Sequence, residues 1–211
     1  MQEARTINYE CPYCHKTFEV QLYDVVNAED VDLKERCMSG DIFRVSCPHC
    51  KKDYLIQYPL VYIDQANRFI LWLSQNEMGE ALRAYTKNMK GYKFRRCESI
   101  AQFVEKIQIF EDGIDDVMVE LAKYDCFIEF VDNKKGKPED ITSIEYQKAD
   151  NGVIKINVRT DDQGMSFLIP VSMLEEEMAE HPDYYEVNNE EFPLINGEWI
   201  RSLFQESAGE A

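Results

Sequence analysis

The sequence predicts an α+β protein in two parts, and three observations carry that prediction. Two Cys-Pro-x-Cys tetrapeptides, Cys11-Pro12-Tyr13-Cys14 and Cys47-Pro48-His49-Cys50, lie in the first quarter of the chain. The residues after each alternate between apolar and polar, the period of a strand. Further on, apolar residues recur at helical spacing behind helix-capping sequences. The expected architecture is a set of zinc-ribbon-like antiparallel hairpins with helices over residues 1–123. A second small α+β unit with an antiparallel meander follows over residues 124–211.

The two tetrapeptides are copies of one device. The first continues His15-Lys16-Thr17-Phe18-Glu19-Val20-Gln21 and the second Lys51-Lys52-Asp53-Tyr54-Leu55-Ile56-Gln57. Each therefore reads Cys-Pro-x-Cys-x-Lys-x-aromatic-x-(Val/Ile)-Gln. Two thiolates three positions apart can grip one ion if a tight turn joins them. Proline fixes φ in that turn and leaves the remaining amides free to face sulfur. Two such knuckles give a four-thiolate set, which zinc fills without another ligand. Cys11, Cys14, Cys47 and Cys50 are the expected metal ligands and Zn²⁺ the expected cofactor. Two rival chemistries use the same strings. A redox Cys-x-x-Cys needs a helix N-terminus to lower its thiol pKa, and strand-like sequence follows here instead. Cys11-x-x-Cys14-His15 also fits c-type haem attachment, a chemistry performed outside the cytoplasm.

The other elements of the first part follow in order. Residues 28–39 resemble a short helix stopped by Gly40. Ile42 to Val45 lead into the second knuckle. Tyr54–Ile63 and Arg68–Leu73 are aromatic and β-branched, with residues 64–67 as the turn between them, and are expected to complete a small antiparallel sheet. Residues 76–89 read as a helix with Leu82 and Tyr85 on one side. Ser99 and Gln102 form a capping box for a helix carrying Phe103, Val104, Ile107 and Phe110 and ending at Gly113. A further helix starts near Asp115 and runs through Val117, Met118, Leu121 and Ala122.

From about Tyr124 the pattern changes. Phe127–Val131 reads as a strand, followed by a polar loop to Asp140. Ile144 and Tyr146 mark a second strand, and Asn151-Gly152 is a strong hairpin signal. Ile154, Ile156 and Val158 alternate on the return strand. Met165, Phe167 and Ile169 alternate on a fourth, which Pro170 ends. Ser172 and Glu175 suggest a second capping box, Trp199 to Phe204 a closing helix, and residues 207–211 a frayed end.

Composition limits the function. The chain has 211 residues, 45% hydrophobic, enough for a real core. No apolar run is long enough for a membrane span, and the first residues lack a signal peptide's apolar stretch. With seven cysteines, a reducing, cytoplasmic location is expected. Cys97 and Cys126 read as small buried apolar residues, while Cys37, ten residues before Cys47, is close enough in sequence to approach the metal. Net charge is −17, with −4 over residues 1–123 and −13 over 124–211. The acidic C-terminal part repels nucleic acid and suits a basic protein partner, the alternative being that the charge serves solubility alone.

One stretch runs against that trend. Lys87, Lys90, Lys93, Arg95 and Arg96 are interleaved with Tyr85, Tyr92 and Phe94, the composition of a single-strand nucleic-acid platform. Its bland alternative is a solvated helix end and linker, with the aromatics in the core. Glu111, Asp112, Asp115 and Asp116 cluster in sequence, but acids there serve helix capping. His15 and His49 flank knuckle thiolates and are expected at the surface, as is His181.

The knuckles, the stretch Tyr58–Asp64 and the run from Glu105 to Asp116 together resemble the CpXC family over roughly residues 6–123. The resemblance implies metal binding through the four knuckle cysteines. It brings no catalytic residue and no established biochemical function. Four matched cysteines close a zinc site, which argues for a structural metal and against an enzyme. The favoured expectation is an intracellular protein-interaction or scaffold module. The alternatives are a nucleic-acid-associated ribbon using residues 85–96, and a thiol redox or metal-responsive switch.

Overall fold

The computed structural model describes residues 3–76, 83–84, 86–87, 89–132, 136–150, 152–189 and 191–209, without the side chains of 206–209. Most of the helix expected over 76–89 lies outside the described residues. The fold is α+β, as predicted. Residues 1–108 with 189–193 pack as one compact unit, and residues 109–188 with 194–211 as the other.

In the first unit, β1 (Arg5–Glu10) and β2 (Thr17–Leu22) form an antiparallel hairpin around the first knuckle, with Glu10 opposite Thr17. A shorter copy, β4 (Arg44–Ser46) with β5 (Asp53–Leu55), surrounds the second, with Ser46 opposite Asp53. Between them lies α1 (Val31–Ser39), capped by the Asp30 carboxylate on the Leu33 amide at 3.2 Å. Gly40 ends α1 at φ 77°, a left-handed turn that suits glycine. Tyr54–Ile63, read as one strand, is two. β5 ends at Leu55, and β6 (Leu60–Asp64) begins just after Pro59, which has no amide to give a ladder.

β6 belongs to a four-stranded sheet of order β3-β6-β7-β8, with β3 (Val25–Asn27), β7 (Phe69–Leu73) and β8 (Lys93–Cys97). This sheet is mixed, not antiparallel as expected: β3 runs parallel to β6, and β8 parallel to β7. Every residue of β7 is buried, the signature of a strand covered on both faces. On one face Phe103, from α2 (Ile100–Glu111), meets the rings of Phe43 at 5.7 Å and Tyr62 at 6.2 Å. On the other, Ile63, Ile70, Trp72 and Phe94 pack with Phe192. The Ser99 cap at α2 forms as read, its Oγ accepting from the Gln102 amide at 3.2 Å, but Gln102 Oε1 reaches back one residue further than a capping box requires, accepting from the Glu98 amide at 2.9 Å.

In the second unit, β9 (Ile141–Lys148), β10 (Val153–Thr160) and β11 (Gly164–Pro170) make an antiparallel meander, with β10 in the centre. Ile154, Ile156 and Val158 are buried, as their alternation demanded. The meander has three strands, not four. Phe127–Val131 is the last part of a 17-residue helix, α3 (Asp116–Asp132). Its buried residues Val119, Ala122, Cys126 and Phe130 keep helical spacing through the segment. A five-residue β-branched and aromatic run is ambiguous alone, and the helical period before it decides. The boundary read near 124 lies within this unbroken helix. Two terminal readings also change. Ser172 does not cap α4 (Val171–Glu180), whose N-cap is Pro170 without a side-chain bond. The closing helix α5 (Gly197–Gly209) continues through residues 207–209, expected to be frayed.

Candidate metal centre

Each knuckle is a hairpin turn built the same way. In the first, the Cys11 amide donates to Lys16 O at 3.1 Å and the His15 amide to Cys11 O at 2.9 Å. In the second, the Cys47 amide donates to Lys52 O at 3.0 Å and the Lys51 amide to Cys47 O at 2.9 Å. His15 and Lys51, at matching positions, both take left-handed backbone, with φ 57° and 61°. The duplicated sequence is thus a duplicated backbone.

The turns bring all four cysteine sulfurs within 4.8 Å of one another. The Sγ atoms of Cys11 and Cys50 lie 3.7 Å apart, as do those of Cys14 and Cys47. These short pairs run between knuckles, so both loops converge on one point able to hold one metal ion. Cys11 and Cys47, the first cysteine of each pair, are fully buried, while Cys14 and Cys50 are partly exposed. This is the only group of metal-ligating side chains among the described residues.

The electrostatics favour thiolate at the buried positions. Burial alone would raise the Cys11 thiol, but the amides of Cys14 and Tyr13 and the sulfurs of Cys47 and Cys14 outweigh it, bringing Cys11 down to about 6. At Cys47 burial is likewise outweighed, here by the amides of Cys50 and His49, and its pKa is lowered. Cys14 goes the other way: although the Lys16 amide favours its thiolate, burial and the three other sulfurs push it up to about 11. Four sulfurs this close cannot all ionise without a cation between them, which is the situation a bound metal relieves.

The surroundings are aromatic. Tyr54 stands beside Tyr13, rings 5.8 Å apart, and Tyr9, at 6.1 Å. Burial, with the charge of Cys11 next to it, raises the Tyr54 phenol. Lys52 lies 4.3 Å over the Tyr13 ring. His15 is exposed and pairs with Glu10 at 3.0 Å, and His49 is exposed.

The other candidates are dispersed. Cys37 is buried in α1 and lies outside the four-sulfur cluster, with its thiol pushed up to about 12 by burial. Cys97 and Cys126 are buried too. Of the basic stretch, Arg95 is only 2% exposed, and its guanidinium donates to Asn189 Oδ1 at 2.5 Å and Phe94 O at 2.8 Å. Arg96 pairs with Glu98 at 3.2 Å, Phe94 is in the core, and Lys93 is half-buried. Lys87 and Lys90 are exposed, and Tyr85 lies outside the described residues. The burial follows from β8, a sheet strand that the charge pattern concealed. In the acidic run, Asp112 accepts from the Tyr146 hydroxyl at 3.0 Å and Lys148 at 2.7 Å, and Asp115 caps the Val117 amide at 2.9 Å.

The model of the CpXC protein family matches residues 9–123, just over half of the chain. No curated protein and no solved structure matches the chain. Among the described residues no helix is long and apolar enough to cross a membrane.

Proposed function

This chain belongs to the CpXC family, and from that premise we propose that it is a zinc-stapled protein-interaction module working in the reducing cytoplasm. The observation that carries the metal is the sulfur geometry. A Zn–S bond of about 2.3 Å sets a tetrahedral S···S edge of about 3.8 Å, and the two short sulfur pairs measure 3.7 Å. Four thiolates leave zinc no open position for substrate or water, so the ion would be structural. It would tie together two hairpins of six and three residues per strand, too small to be stable alone.

A redox switch is less well supported. The first knuckle is followed by a strand, and no helix N-terminus stands behind Cys11. The interaction role rests on charge: −13 of the net −17 falls in residues 124–211, a field suited to a basic protein partner. Elemental analysis of the purified protein, with a thiol count under denaturation, tests the centre. One zinc per chain and seven free thiols support it. No metal, with disulfides inside the Cys-Pro-x-Cys pairs, overturns it in favour of redox chemistry.

A further inference from the structure

The four-stranded sheet ends at β8, and the segment along that edge comes from far down the chain. Residues 189–193 pack with the first unit although residues 109–188 intervene and belong to the second. They make four kinds of contact. The Arg96 amide donates to Pro193 O at 3.1 Å, a main-chain bond to the sheet edge. The Phe192 ring lies 5.3 Å from Phe94 and 5.8 Å from Trp72, and is 7% exposed. Asn189 Oδ1 accepts from the buried Arg95 guanidinium. A main-chain bond, an aromatic anchor in a pocket, and a side-chain amide on a buried charge are how a sheet edge recognises an extended peptide. An exposed ion pair, Arg83 with Glu191 at 3.1 Å, lies at the rim.

We propose that the β8 edge, with Trp72, Phe94 and Arg95, is a peptide-recognition groove, and that this chain's own Asn189–Pro193 segment is its resident ligand, exchangeable for the same sequence supplied in trans. The chemistry read is an asparagine followed three residues later by Phe-Pro. Each part has its own reader: Arg95 for the amide oxygen, the Trp72 and Phe94 rings for the phenylalanine, and the Arg96 amide for the carbonyl that follows. The proposal rests on the sheet and not on the sulfur cluster, so loss of either reading leaves the other standing.

A fluorescent peptide of residues 187–195, titrated by anisotropy into the full-length protein, tests it. A tethered ligand acts at an effective concentration of about millimolar, so the wild-type chain should bind the peptide at least about tenfold more weakly than Phe192→Ala, whose groove lacks its anchor. The same peptide with alanine for its phenylalanine should lose binding. If Phe192→Ala does not fold, as judged by circular dichroism, Asn189→Ala loosens the latch at its polar end and should expose the groove to the peptide. Equal binding to the wild-type and variant chains, binding indifferent to the peptide's phenylalanine, or no binding to a folded variant would each overturn the proposal.

Discussion

Cys47 has no exposed surface and its sulfur is 3.7 Å from that of Cys14. In the proposed centre, replacing it with serine would remove a soft ligand and leave three thiolates that cannot close a tetrahedron. Cys47→Ser is expected to lose the metal and lower amide protection across residues 6–64, while the meander over 141–170 stays folded. Elemental analysis and hydrogen exchange on one preparation would show both effects, and unchanged metal content with unchanged protection would sink the idea. A second residue makes a pH prediction. Burial in the second unit, helped by the charge of Glu177, raises Asp125 from 3.8 to about 6. Between those values the native chain holds a proton that the unfolded chain has released, so this group's contribution to stability declines as pH rises through that window. Asp125→Asn should therefore be more stable than the parent above about pH 7 and show a flatter pH dependence between about pH 4 and 6. Urea unfolding followed by circular dichroism at about pH 5 and about pH 7.5 would check the sign.

At the scale of elements, the knuckle hairpins were the most legible part of the sequence. Cysteine spacing, proline and alternation all act within a dozen residues, and so do the forces that shape the turn. The end of α1 is similarly local. An alanine at Gly40 would find Val104 Cγ2 at 3.6 Å, an ordinary contact, so its cost is conformational, from φ 77°. Gly40→Ala should destabilise the protein by ~1–2 kcal/mol, read as a lower urea midpoint at unchanged slope. Two elements were not legible. Phe127–Val131 has strand composition, yet it packs as α3, where Tyr124 stacks on Phe204 at 4.8 Å and Arg201 lies 5.8 Å from the Phe127 ring. β8 reads as a basic linker because Lys93, Arg95 and Arg96 mask its alternation. A buried arginine is tolerable only with polar partners, and Asn189 stands 94 residues away in sequence.

For the molecule as a whole, the family match ends at residue 123 while the first compact unit takes in residues 189–193. A fragment of residues 1–123 would keep both knuckles but lack Phe192, leaving Trp72 and Phe94 without the ring that packs on them. Its only tryptophan is Trp72, which is 8% exposed in the full chain. The fragment is expected to bind metal, unfold at lower urea than the full chain, and show red-shifted tryptophan emission. Emission as blue as that of a folded full-length chain carrying Trp199→Phe would mean that residues 189–193 add nothing to this core.

The sequence by itself determined the α+β class, the two knuckles and their four cysteines, the capped helix after Ser99, and the alternation of β9 to β11. Each depends on contacts between near neighbours or on a residue type with a single strong chemistry. Only the tertiary structure decided that the knuckles converge on one cluster of sulfurs, that the main sheet is mixed, that Cys37 stays apart, and that Arg95 is buried. It alone showed that a late segment completes the first unit. Those outcomes depend on residues far apart in the chain meeting across packed faces, and spacing along a sequence carries no record of which faces meet.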